Sequence, residues 1–278
     1  MTANLSSPSP MPPLSIGNVV SAGLPLYRSH LKSYFQLALR AYLWILVPVY
    51  GWAKFYAIAA LISRLAFGEL VNQPESVESG RRYVNSKLWQ FLITALLMLL
   101  LGVGVWICLV ILVAIFVVLA GVLRGNTAAI AITILLGIIV AAAFIIGISW
   151  LLTRFFIVQL PLAIEDNVDA TSTISRSWEL TKGHVWRIFS IYLVAYLITL
   201  PLIIAVQVVR SILQIVFSLL LKQNSAAYGL LFFLLILGLS LLSGAVMLPF
   251  WQAVKAVIYY DLRSRREGLG LKLRDRTI

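Results

Sequence analysis

Charge is what this 278-residue sequence has least of: 12% of it is Asp, Glu, Lys or Arg, while 61% is hydrophobic. Soluble domains carry about 25% charged residues, so a soluble globular enzyme and a disordered tail are both excluded. Cysteine is nearly absent as well. The single one, Cys108, lies in a long apolar run, which excludes a disulfide scaffold, a cysteine zinc site and a thiol relay within the chain. The two histidines, His30 and His184, are too few for a clustered metal centre or a nucleophile–histidine–acid arrangement. No Walker-type phosphate loop occurs, and Gly102-Val103-Gly104 lacks the surroundings of a potassium filter. The ten acids, Glu69, Glu75, Glu78, Glu165, Asp166, Asp169, Glu179, Asp261, Glu267 and Asp275, all fall outside the long apolar tracts. Buried acids mark proton relays in membranes, so a proton-coupled pump and an intramembrane enzyme are disfavoured. No catalytic residue, cofactor or metal is expected.

What is present is apolar length. A mean hydropathy of +0.97 points to an all-α integral membrane protein crossing the bilayer several times. Crossing takes about 20 helical residues. Residues 88–123 contain no charge at all, and 127–153 follow after Arg124-Gly125-Asn126. Residues 185–221 and 228–260 supply two more tracts. The first tract, 33–66, is ambiguous, because it holds Arg40, Lys54 and Pro48-Val-Tyr-Gly51. It reads as one tilted helix or as a hairpin turning at Pro48–Gly51, where Pro and Gly interrupt helices.

The net charge of +12 would suggest nucleic acid in a soluble domain. Here it is a topology signal, and no nucleic-acid partner is expected. If the basic clusters share one side, that side holds all 22 basic residues except Lys54, Arg124, Arg210 and Lys222. The positive-inside rule makes it cytoplasmic. Keeping residues 64–87 and the N-terminus together requires 33–66 to cross twice. The expected fold is therefore about six transmembrane helices arranged as three hairpins, with both termini cytoplasmic. A single crossing of 33–66 is the weaker alternative.

Three polar stretches with basic and aromatic residues lead into apolar tracts: 24–39, 78–96 and 174–193. Each resembles a short amphipathic helix on the cytoplasmic surface, and together they outline repeated units 15–67, 74–153 and 168–260 of one membrane domain, 15–260. The competing reading is that every cytoplasmic membrane boundary looks basic and aromatic. Residues 1–14, with four prolines and no Lys or Arg, read as a disordered lead-in rather than a signal peptide. Residues 261–278 read as a basic cytoplasmic tail.

Two stretches carry the candidate site residues. Gln207, Arg210, Gln214 and Ser218, with Ser211 and Lys222, recur at spacings of three and four. They make a polar stripe that either lines a solute path or, as favoured on length, faces water from an interfacial helix. The segment 154–187 is the densest in polar groups. Pro161 is expected to end a span, Asp169 to start a short helix, and Lys182-Gly183 to stop it. Arg81, Arg82, Lys87, Arg263, Arg265 and Arg266 form the expected face for anionic lipid headgroups.

The run Leu160-Pro161, Glu165-Asp166, Ser175-Arg176-Ser177-Trp178-Glu179-Leu180-Thr181-Lys182-Gly183 and Trp186 resembles a motif of two bacterial families. These are the glycerophosphoryl diester phosphodiesterase membrane-domain and YciC-like families of six-helix inner-membrane proteins. Leu26-Tyr27-Arg28 with Tyr34-Phe35 is similar to the opening of those domains. The resemblance implies the membrane part alone, because phosphodiester hydrolysis belongs to a separate barrel and no residue here inherits it. It implies a bacterial inner-membrane location. The functional expectation is a non-catalytic scaffold or assembly factor whose partners are the bilayer, anionic headgroups and other membrane proteins. The alternative is a permease or carrier for a lipid or small solute.

Overall fold

A computed structural model of the protein describes residues 16–123, 125–220 and 226–268, and these are helical with no strand among them. The lead-in 1–14, Arg124, Lys222 and the last ten residues, including Lys272, Arg274 and Arg276, lie outside the described residues. Helices α1 (Ile16–Ser29), α2 (Leu31–Trp44) and α3 (Tyr50–Leu70) are followed by α4 (Val77–Ser86) and the long α5 (Leu88–Val122). Then come α6 (Thr127–Arg154), the short α7 (Gln159–Ile164) and α8 (Ser172–Thr181), α9 (Val185–Leu220) and α10 (Ala226–Glu267).

Local chemistry explains most boundaries. The first tract breaks between Trp44 and Tyr50, where Pro48 has no N–H to donate. Val49 there takes φ 61°, a left-handed conformation costly for a β-branched residue. A Cβ on Gly51 would sit 1.9 Å from the Trp44 carbonyl oxygen, so only glycine lets the chain fold back this closely. Ser76 Oγ accepts from the Ser79 amide at 3.2 Å and caps α4, as Asn126 Oδ1 does for α6 through Ala129 at 3.1 Å. Gly183, at φ 79°, supplies the turn after α8.

Four segments are long and apolar enough to cross a membrane: Leu88–Val122, Thr127–Ile164, Val185–Leu219 and Gly229–Glu267. By length and composition the chain is thus a multi-pass, all-helical membrane protein. At 1.5 Å per residue, α5 is about 52 Å long against a hydrocarbon thickness of about 30 Å, so it tilts or extends past the core. Helix α2, with 14 residues, reaches only about 21 Å.

Packing is concentrated at one end. The second half of α10 runs through its centre, burying Phe250, Ala253, Val254, Val257, Ile258 and Leu262 against α1, α3 and α9. A second cluster joins Tyr34 and Leu37 of α2 to Ala57, Ala60 and Leu61 of α3, Phe91 of α5 and Leu162 of α7. Small residues let α2, α3 and α10 approach closely. A Cβ on Gly244, for example, would lie 2.3 Å from Tyr42 Cζ. Ser63 satisfies its buried hydroxyl on Gln252 Oε1 at 2.7 Å. At the other end Leu99, Leu100, Val117, Ile138, Ile145 and Leu219 are each more than half exposed. That much exposed apolar surface, on segments of membrane-spanning length, fits a lipid surround rather than water.

The structure moves three expected boundaries. Pro161 sits inside α7, after a short break at 155–158. The tail does not begin at 261, since α10 continues to Glu267 and Asp261 and Leu262 are buried. The polar stripe is not a separate interfacial helix, because α9 is unbroken from Val185 to Leu220.

Candidate functional site

The ionisable residues converge at the packed end, and Glu165 is their hub. It follows α7, with its backbone extended. Its carboxylate accepts from Arg176 Nε on α8 at 3.2 and 3.3 Å and from the Tyr259 hydroxyl on α10. Arg176 also pairs with Glu267 and reaches Glu179 at 3.5 Å, while Arg263 holds the other Glu267 oxygen at 2.9 Å. Burial opposes the charge on Arg176, but Glu165 and Glu267 outweigh it and raise its pKa further.

A second set of contacts ties α3, α4 and α7 to that hub. Arg64 Nε donates to Glu75 Oε2 at 2.6 Å, and its Nη1 donates to the Ala163 carbonyl at 2.7 Å. Its guanidinium carbon lies 3.9 Å from the centre of the Tyr83 ring. Burial works against the Glu75 carboxylate, yet hydrogen bonds from Arg64 and Ser79 and the Arg64 charge hold its pKa below the usual range. Lys87 lies between α4 and α5. Its ammonium donates to the Tyr83 hydroxyl and the Glu165 carbonyl at 2.8 Å each, and to the Asp166 carbonyl at 3.1 Å. It thereby takes up carbonyls left open beyond the C-terminus of α7. Burial lowers the Lys87 pKa, although Asp166 and Glu165 partly oppose it.

The rest of the 154–187 segment is held with equal economy. Arg154 stacks on Trp150 and Trp178, 4.9 and 4.6 Å from their ring centres, and donates to the Trp178 carbonyl at 2.9 Å. Asp169 Oδ1 accepts from the amides of Thr171 and Ser172 at 3.1 and 2.7 Å and from both hydroxyls. Those bonds, led by the ones from Ser172, depress its pKa to about 2. Lys182 is exposed, and its carbonyl accepts from Arg266. Trp186, on the first turn of α9, is 59% exposed.

Several expected headgroup contacts are committed elsewhere. Arg263 pairs with Glu267 and Arg265 with Asp261, which Arg187 also meets at 3.0 Å. Arg81 lies 3.9 Å from Glu78, and Arg82 is exposed. Arg28, Lys32 and Arg40 are exposed too; sequence reasoning placed them on the basic side without selecting them. In the stripe, Gln207 and Gln214 face outward, while Arg210 turns to α10 and donates to Ser240 Oγ at 3.0 Å. Ser218 bonds its own helix at the Ile215 carbonyl.

Among the described residues no three His, Cys, Asp or Glu side chains are grouped so as to hold a metal. The hub's chemistry is that of mutual neutralisation, with each carboxylate facing a guanidinium or phenol. Neither protein-family models, nor curated proteins, nor solved structures match this chain.

Proposed function

We propose that this protein is a non-catalytic multi-pass membrane protein that scaffolds or assists the assembly of membrane partners, docked to anionic lipid by its charged end. The observation that carries this reading is the set of exposed cations left without ion pairs once the half-buried and buried acids are paired. Glu78, Asp166, Asp169 and Glu179 are exposed as well. Glu75, Glu165, Asp261 and Glu267 are all paired inside the chain, whereas Arg28, Lys32, Arg40 and Arg82 stand exposed with no ion pair among the described residues. Their positive field has no internal use, and phosphate headgroups complement it at about 1 kcal/mol per well-placed Lys or Arg. The positive-inside rule puts that end, and both termini, in the cytoplasm. The resemblance of 154–187 to bacterial inner-membrane families supports a bacterial cytoplasmic membrane. Three hairpins are the proposed layout, α2–α3, α5–α6 and α9–α10, and the four segments of spanning length fall in the last two.

Native mass spectrometry of protein released from mixed zwitterionic and anionic nanodiscs tests the lipid part. The triple variant R28Q/K32Q/R82Q should lose most retained anionic lipid while keeping the wild-type melting profile. Undiminished retention would defeat the reading. A reporter fused at position 126 should report the face opposite one fused after Glu267.

A further inference from the structure

We propose that the α2–α3 hairpin is a re-entrant wedge, whose tip from Trp44 to Trp52 enters the leaflet on the charged side and returns without crossing. Three independent observations converge on it. The first is length, since α2 has 14 residues and falls short of the hydrocarbon thickness. The second is the position of α4 beside α3. Gly80 packs so close to Leu61 that a Cβ there would be 2.6 Å from Leu61 Cδ1, and Lys54 Nζ donates to Asn85 Oδ1 at 2.9 Å. Helix α4 carries Glu78, Arg81 and Arg82 and leads into Lys87, which is bound to the carbonyls beyond α7. A helix so charged does not lie in hydrocarbon. The stretch of α3 from Lys54 to Leu61 therefore shares the headgroup level of α4. Only one further turn and the loop remain to go deeper, roughly the 5–10 Å reached by interfacial elements.

The third observation is the tip itself. Trp44, Ile45, Leu46, Val47, Val49, Tyr50 and Trp52 are all exposed, although Gly51 draws the two arms together beneath them. One turn behind stand Arg40 on α2 and Lys54 on α3. Apolar residues at the point, aromatics around it and one cation on each arm match acyl chain, glycerol and phosphate in order of depth. The tip thus fits the same bilayer that covers the neighbouring apolar helices, and anionic phosphate complements the collar. Such a hairpin keeps Arg28, Lys32, Arg64 and α4 on one face, as the charge distribution requires, with four crossings in place of six.

The test uses the full chain reconstituted in anionic vesicles, with Cys108→Ala as background. Leu46→Cys probes the tip, Arg82→Cys marks the charged face and Thr127→Cys the opposite one, with Ile45→Cys as a second tip probe should the first misfold. Membrane-impermeant maleimide applied to each face should label Arg82→Cys and Thr127→Cys from opposite sides and the tip from neither. An environment-sensitive fluorophore placed on the tip before reconstitution should be blue-shifted, and quenched more by nitroxide near the headgroup than at mid-chain. Labelling of the tip from the Thr127→Cys face would overturn the proposal by showing a double crossing. Labelling from the Arg82→Cys face would overturn it by showing a tip in water. Protection without lipid quenching would overturn it too, because protein and not lipid would then cover the tip.

Discussion

Glu165 stands where three helices meet, and its charge is what they share. Replacing it with Gln preserves shape but leaves Arg176 Nε and the Tyr259 hydroxyl facing a neutral amide. Removing one partner of a partly buried, charge-assisted bond costs about 1–3 kcal/mol. Glu165→Gln is therefore expected to lower the midpoint of unfolding in a denaturing-detergent titration. Tyr259→Phe should cost less alone, and the double variant less than the sum of the two, because they act on one network. Asp169 offers a test by pH. Its folded pKa, near 2, lies below the unfolded value of about 3.9. Its contribution is therefore complete above the unfolded value and is lost as pH falls from there through the folded one. Glu75, also depressed, acts in the same direction. Amides at Thr171 and Ser172 should stay protected from hydrogen exchange down to about pH 4, judged by that unfolded value, and lose protection below it. Asp169→Ala should remove the protection throughout, and unchanged exchange in that variant would refute the role of the Asp169 carboxylate in holding these amides.

At the scale of elements, the joint between α2 and α10 is the most exacting. Gly244→Ala would drive a methyl into the Tyr42 ring, and overpacking of this kind costs about 1–3 kcal/mol. The variant should melt earlier than wild type. Adding Tyr42→Ala should recover stability relative to Gly244→Ala, since it removes the colliding ring; a further loss in the double variant would show that the two do not share one contact. Elements of this sort were only partly legible in the sequence. The four long apolar tracts, the turn near Pro48–Gly51 and the stop at Gly183 depend on local composition, so they could be located from it. The stripe was assigned to an interfacial helix because 185–221 is longer than one span needs, whereas α9 runs unbroken through it. Half of the hub is legible, since Glu165 and Arg176 stand out in the 154–187 segment, but their α10 partners left no local signal. Tyr259 and Glu267 lie 94 and 91 positions from the residues they meet, and no periodicity connects them. Lys87 looked like a headgroup ligand because its row of carbonyl partners exists only once α7 has docked. Arg263 and Arg265 each have an acid four positions away, a spacing that does favour pairing on a helix. That signal was available and outweighed by the basic character of the tail.

For the molecule as a whole, the decisive asymmetry is between an end held by protein contacts and an end held by lipid. Nearly all buried residues from Val19 to Leu262 belong to the first, while the most apolar window of α5 has none of its residues buried. Without a hydrophobic driving force between helices in lipid, such segments associate only through close packing. The groove between α5 and α6, lined by Leu112, Phe116, Gly137 and Ala141, shows how loosely they meet. Backbone hydrogen bonds of the outer halves are therefore shielded by the bilayer and not by neighbouring helices. Hydrogen exchange should separate the two ends. In nanodiscs, residues 99–119 and 129–148 should be as protected as 245–262. In a short-chain detergent, where water reaches the splayed helices, their protection should fall while that of 245–262 persists, because local opening follows local contact density. Equal loss at both ends would mean that the packed end has no stability of its own. The charged end could not then serve as the rigid platform that scaffolding requires.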